Sequence, residues 1–392
     1  MKLLLAENRV EYFPTHRRPL AEAARRAGYD VHVATLTWGP AAAITEAGFP
    51  FHQISRRKGG NRILQELAAL FGLRRILNQV RPDICHFFTL RAVVHGLVAF
   101  LLGGVRPPLV VCSITGLGYL FTDEGLQARI GRAVAGNLIG WLRSLVRPIF
   151  IFQNRDDRAL FADRGWVPLS ASCLVPGSGV DIRAFSKAEM PSGTPIALFS
   201  GRYLRPKGIF EFVEAARLLR NEGIDARFVI VGDIDPHNPA SARRADVEAW
   251  LEEGIVEDWG FCSDMPARLA RASLVVLPST YGEGLPKVVI EAGATGRPVI
   301  VSDSPGCREA IVDGETGMLV PAKDPQALAR AIRTLLADPA RLRLMGEAAR
   351  RDVESRFASD VIADAILGVY SRGLAPPDER ASGFANAASP SA

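Results

Sequence analysis

Short apolar runs alternate with longer stretches of helical spacing along most of this 392-residue chain. In the first half the apolar runs fall at 3–6, 31–36, 84–88, 109–114, 149–152 and 172–175, with helical spacing at 17–27 and 63–80. Alternation of this kind predicts a parallel sheet joined by crossover helices. Residues 187–195, centred on Met190-Pro191-Ser192-Gly193-Thr194, are rich in Pro, Gly and Ser and read as an interdomain linker. The pattern then restarts. Strands are expected at 196–200, 228–231, 255–261, 274–277 and 298–302, with helices at 209–221, 241–253 and 265–272 between them and at 325–337, 339–356 and 359–373 after them. The chain exceeds what one core usually holds. The expected architecture is therefore α/β, with one parallel-sheet domain over residues 1–190 and a second over 191–357. Residues 376–392, rich in Ala, Ser and Pro, are expected to be disordered.

Hydrophobic content of 48% with 23% charged residues is ordinary for a globular protein. The net charge of +5 hides an asymmetry: residues 1–190 hold 24 Lys and Arg against 14 Asp and Glu, and the remainder 23 against 28. A basic first half suggests an acidic partner: a nucleic acid, an anionic membrane surface or a diphosphate-bearing substrate. Nucleic acid is disfavoured because no recognition motif accompanies the basic residues. Cys85, Cys112, Cys173, Cys262 and Cys307 form no C-x-x-C pair, which argues against a disulfide framework or zinc site and fits a reducing cytosol. Residues 1–6 are too short an apolar stretch for a signal peptide and read as a first strand. No window reaches 18 uninterrupted apolar residues, so no transmembrane helix is expected.

Candidate chemistry concentrates at two strand-to-helix junctions. The strand at 274–277 runs into Pro278-Ser279-Thr280-Tyr281-Gly282-Glu283-Gly284 and then Leu285-Pro286-Lys287-Val288-Val289-Ile290-Glu291. Pro286 suits a first helical turn, so the helix is expected to begin just after Glu283. Lys287 and Glu291, four apart, then share a face, and the amides of 284–288 offer the positive end of the helix dipole to an anionic, hydroxyl-rich ligand. The strand at 196–200 leads into Gly201-Arg202-Tyr203-Leu204-Arg205-Pro206-Lys207-Gly208. There Arg202 offers a bidentate grip on phosphate oxygens and Lys207 a movable point charge.

The segment from Glu283 to Glu291 resembles the E-x7-E signature of retaining GT-B glycosyltransferases of family 4, and 201–208 is similar to that family's G-R-x4-K-G element. The resemblance implies two Rossmann-like domains facing a cleft, with a C-terminal helix, here 358–375, completing the N-terminal acceptor domain. It implies a nucleotide-sugar co-substrate, most often a UDP-sugar, with no cofactor and no required metal. Arg202 and Lys207 would hold the donor diphosphate, Glu283 the sugar and Glu291 the ribose hydroxyls, while Gly284, Leu285 and Lys287 complete the donor-binding set. Arg202, Lys207 and Glu283 would be the catalytic residues, with Glu283 open between nucleophile and sugar contact. Asp233-Ile234-Asp235 has the spacing of a metal-binding pair but reads as loop acids.

On the acceptor side, Ile114-Thr115-Gly116-Leu117-Gly118 and Pro176-Gly177-Ser178-Gly179-Val180-Asp181 resemble a family subset that builds on polyprenyl diphosphate. Thr115, Gly116 and Gly118 would contact the acceptor, as would His86 if it faces the cleft rather than the core. Many family members carry a His where Thr115 and Gly116 stand. The function implied is transfer of a hexose or N-acetylhexosamine to a lipid-linked saccharide in surface polysaccharide or glycan assembly. A soluble small-molecule acceptor and a catalytically silent nucleotide-sugar-binding module are the alternatives. The residues at 55–62, with Arg74, Arg75, Arg129, Arg132, Arg143 and Arg147, lie among Leu, Ile and Trp141. That mixture suits peripheral docking on the inner face of the cytoplasmic membrane, with a solvated basic face as the bland reading.

Overall fold

The computed structural model describes residues 1–37, 39–54, 62–117, 126–280 and 282–375, without the side chains of 62, 63 and 126–128. The chain divides into two units: Met1–Gly179 with the segment from Ser359 onward, and Val180–Ala358.

In the first unit seven parallel strands take the order β3-β2-β1-β4-β5-β6-β7. They are β1 (Lys2–Glu7), β2 (Asp30–Thr35), β3 (Phe51–Gln53), β4 (Ile84–Phe88), β5 (Leu109–Ile114), β6 (Ile149–Phe152) and β7 (Ser172–Leu174). Burial on both faces explains why these strands read as continuous apolar runs. Within β1, Leu4 and Ala6 join the core beneath helices Arg62–Val80, Leu90–Leu101 and Leu126–Val146, whereas Leu3 and Leu5 join the core beneath Arg18–Arg26 and Ser359–Leu374. The last helix thus belongs to the first unit.

The second unit has the six-stranded parallel order β10-β9-β8-β11-β12-β13. Its strands are β8 (Ile196–Ser200), β9 (Arg227–Val231), β10 (Glu257–Asp258), β11 (Leu274–Leu277), β12 (Val299–Ser302) and β13 (Gly317–Val320).

Three expectations need correction. The unit boundary falls at Gly179–Val180 rather than in 187–195, because Val180 is buried with Ile290, Ala294, Val353 and Phe357 of the second unit. Arg350 also donates to the Phe185 carbonyl at 2.7 Å, tying down the following segment. The strand expected over 255–261 shrinks to Glu257–Asp258, since Gly260 turns the chain at a φ of 67°. β3 and β13 were not anticipated, being a half-buried edge strand and a strand that begins at a glycine. The basic stretch 55–61, Gly118 and the tail 376–392 lie outside the described residues.

Candidate active site

The second sheet changes direction between β8 and β11, with successive strands running outward from each. Loops leaving the carboxyl ends of such a pair diverge and open a crevice, the usual ligand position in open α/β sheets. Both sequence-predicted junctions lie there. After β8 the chain passes through Gly201 and Arg202, makes a short 3-10 turn over Arg205–Lys207, and enters helix Ile209–Asn221 at Gly208. Gly208 sits at φ 80°, where a Cβ would stand 2.1 Å from the Pro278 carbonyl oxygen, so only glycine allows the two loops to approach. Gly232, just after β9, is packed as closely: a Cβ there would meet the Gly201 oxygen at 2.0 Å.

This packing sets Lys207 against Glu283, Nζ to Oε1 at 2.5 Å, with side chains 18% and 11% exposed. The Ser279 hydroxyl lies 3.1 Å from the same carboxylate oxygen, and the Glu283 amide donates to the Pro305 carbonyl at 3.1 Å. The Thr280 amide, donating to the Pro206 carbonyl at 2.8 Å, fastens one loop to the other. A cation and a carboxylate are thus fixed by backbone contacts at the crevice. Arg202 is 57% exposed and pairs with Asp235 at 2.9 Å, so its guanidinium is held only by a surface ion pair. Asp233 accepts the Tyr203 amide through its carbonyl. Among the described residues no group of three or more His, Cys, Asp or Glu gathers as metal ligands.

The motif helix spans Lys287–Ala294, with Pro286 extended at ψ 116° as its N-cap, so it starts later than expected. Pro286 disfavours a helical conformation at Leu285, which moves the first turn on. Gly284 is buried and Leu285 half-buried in this lead-in. Lys287 and Glu291 do share a face, at 3.7 Å. Burial raises the Glu291 pKa, and the Lys287 ammonium pulls it back only in part.

In the first unit a pocket opens at the carboxyl edge of the sheet, lined by Thr115, Ser113, Arg17, Phe88, Gln153 and Ser178 among others. Thr115 is where the sequence placed it, and Gly116 follows at φ 109°. His86 is not an acceptor contact: it is fully buried, with Nδ1 2.6 Å from the Tyr370 hydroxyl and Nε2 2.7 Å from Ser113 Oγ. Burial, then the Arg17 charge, holds its pKa well below the ordinary value, so the ring is neutral. It supports the pocket floor through Ser113.

Sequence reasoning missed a buried ion pair in this pocket. Arg17 Nε donates to Glu7 Oε2 at 2.7 Å, both side chains under 10% exposed, and the guanidinium carbon lies 3.9 Å from the centre of the Phe88 ring. Burial raises the Glu7 pKa, while Arg17 and the Asn8 amide oppose the shift. A charge pair at the end of β1 costs more in desolvation than an apolar pair, so its presence is weak evidence for added stability. The only signal was Glu7 closing an otherwise apolar strand. Beside it, Thr89 after β4 adopts φ 75°, a strained backbone for a β-branched residue, and its hydroxyl is buried without a partner.

Two parallel-sheet units, the second with a cation–carboxylate contact at its switch point, have the architecture of the GT-B fold. Residues 14–162 match the family model described as "Glycosyl transferase 4-like domain" and residues 194–338 that described as "Glycosyl transferases group 1". The chain thus joins a glycosyl transferase 4-like domain to a glycosyl transferases group 1 domain. It is 29% identical over 320 residues to the N,N'-diacetylbacillosaminyl-diphospho-undecaprenol alpha-1,3-N-acetylgalactosaminyltransferase of Campylobacter jejuni, covering 78% of this chain and 81% of the relative. It is 34% identical over 198 residues to the phosphatidyl-myo-inositol mannosyltransferase of Mycobacterium leprae, covering 49% of this chain and 52% of the relative. The fold matches that of HepE from Anabaena, solved in complex with UDP, with a TM-score of 0.77 and 18% identity over 95% of this chain and 100% of that one.

Proposed function

We propose that the protein transfers a hexose or N-acetylhexosamine from a UDP-sugar to a lipid-linked saccharide, with retention of anomeric configuration, in surface polysaccharide or glycan assembly. The observation that carries this reading is the Lys207–Glu283 contact at the switch point, where a donor diphosphate and its sugar would meet a fixed cation and a fixed carboxylate. The anomeric C–O bond breaks with its electron pair leaving on the diphosphate, and Lys207 and Arg202 neutralise that charge, Arg202 exchanging Asp235 for phosphate oxygen. Two cations in this role replace a divalent ion, so no metal or resident cofactor is required. The acceptor hydroxyl attacks from the leaving-group face and its proton passes to the departing phosphate oxygen. Glu283 faces the sugar and Glu291 the ribose hydroxyls.

The Campylobacter relative's name supports a polyprenyl-diphosphate acceptor, and the fold shared with a UDP complex supports the nucleotide. In this reading the acceptor saccharide enters the first unit's pocket, which Thr115, Ser113 and Ser178 line and Gly116 follows in the chain. The same reading has the enzyme work at the inner face of the cytoplasmic membrane. The test is nucleotide release from a panel of UDP-, GDP- and ADP-sugars, with and without membrane lipid extract and EDTA, followed by NMR of the product linkage. Extract-stimulated, EDTA-resistant release from one UDP-sugar with a retained anomer supports the proposal. Use of a donor only with soluble acceptors moves the reading to small-molecule glycosylation, and use of none moves it to a silent module.

A further inference from the structure

Three helices cover one face of the first sheet: Arg62–Val80, Leu90–Leu101 and Leu126–Val146, the middle one packed against both others. A helix on a soluble surface normally turns its polar side to water. Here two of them do not. Leu64, Leu67 and Phe71, spaced three and four apart on one helix, are 56%, 44% and 53% exposed. On another, Ile130, Val134, Trp141 and Leu145 repeat at helical spacing along one stripe and are 55%, 62%, 55% and 42% exposed. Scattered single apolar residues need no explanation, but parallel stripes in one helical layer do.

The charge of the same layer identifies what covers it. The three helices together carry seven arginines (62, 74, 75, 91, 129, 132 and 143) and one acid, Glu66. Glu66 is already engaged by Arg91 at 3.0 Å and His95 at 2.8 Å. Arg75, Arg129 and Arg147 are exposed beside the stripes. A second copy apposed through this face would set cation against cation, whereas an anionic bilayer neutralises the arginines while its acyl boundary takes the apolar side chains. No described helix is long and apolar enough to cross a membrane, so such a face lies on the bilayer rather than in it.

We propose that the outer face of helices Arg62–Val80 and Leu126–Val146 is a docking surface for anionic phospholipid, with Phe71 and Trp141 entering the headgroup region. The inference deepens the lipid-linked reading by naming the surface that brings the enzyme to its carrier. Its test uses neither donor nor acceptor, so the two stand or fall separately. The full chain is floated with vesicles of phosphatidylcholine alone or mixed with phosphatidylglycerol, at low and high salt. Binding to the mixed vesicles only, weakened by salt, is expected. The triple variant Leu64→Gln, Leu67→Gln, Phe71→Gln should lower partitioning at least about tenfold, and Trp141→Gln on the other helix should lower it several-fold. Near-UV circular dichroism and thermal melts of the same preparations report that the first unit of each variant is folded. Failure of the wild type to float with anionic vesicles, or equal flotation of all variants, overturns the proposal. A wild-type dimer that becomes monomeric in the triple variant overturns it in favour of a second copy.

Discussion

The Lys207–Glu283 contact makes a prediction that separates a fixed site from two loop charges that happen to meet. Replacing Glu283 with Ala leaves the Lys207 ammonium in a crevice where only 18% of its side chain reaches solvent. Breaking a fully buried pair from one side costs about 3–5 kcal/mol, and the residual exposure of Lys207 lowers the expected cost to about 2–3 kcal/mol. At about 2–4 °C per kcal/mol for a unit of this size, the thermal midpoint should fall by roughly 4–12 °C. Removing both charges in Lys207→Ala/Glu283→Ala takes away the ammonium together with its carboxylate, so the double variant should recover part of that loss. The coupling between the two sites should exceed about 1 kcal/mol. Turnover behaves differently, because each single variant should already lose a hundred- to a thousand-fold, roughly the cost of one charge-stabilising donor, with little more lost in the double. Calorimetry and donor hydrolysis on the four proteins give both quantities. Additive midpoint shifts, with the double variant less stable than either single, would refute the reasoning.

Arg202→Ala should cut transfer about a hundred-fold or more while moving the midpoint little, since an exposed ion pair is worth at most about 1 kcal/mol; a collapsed fold in thermal melts contradicts this. Burial raises the Glu291 pKa, so its carboxylate protonates at a higher pH than an exposed glutamate. Donor KM should therefore rise as pH falls through that raised value, while this residue's contribution to stability is largest at low pH and is lost as pH climbs through the same range. Glu291→Gln should flatten both limbs, and unchanged profiles reject the assignment. Gly208→Ala places a methyl against the Pro278 carbonyl at a positive φ, which should destabilise the second unit by about 2 kcal/mol or more and raise donor KM, as read by melts and UDP titration.

Much of this was legible in the sequence because the signals were local. β8 and β11 are unbroken apolar runs, and the two loops that follow them carry their chemistry within eight or nine residues. The start of the motif helix was misplaced because Pro286 satisfies a first-turn rule as well as a cap, and local spacing does not choose between them. His86 stayed open between cleft and core for a different reason. Its partners, Tyr370 and Ser113, are remote in the chain, so nothing near it showed that both ring nitrogens are engaged. The Glu7–Arg17 pair stayed hidden because a π-helical turn over Phe13–Arg17 brings Arg17 back to β1, and no simple period predicts such a turn. The exposed stripes were half visible: the basic residues stood out, but which leucines face water depends on where the neighbouring helix packs.

The return of helix Ser359–Leu374 to the first unit imposes an order on the making of the protein. Ile362, Ala363, Ile366, Val369 and Tyr370 cover Leu3, Leu5 and their neighbours, yet the whole second unit is synthesised between them. The contiguous second unit can close as soon as it leaves the ribosome, whereas one face of the first sheet has only helix Arg18–Arg26 over it until residues 359–374 emerge. At about 5–20 residues per second, that face waits on the order of ten to forty seconds after Gly179 is made. Strands made before the second unit thus gain their full cover only after it.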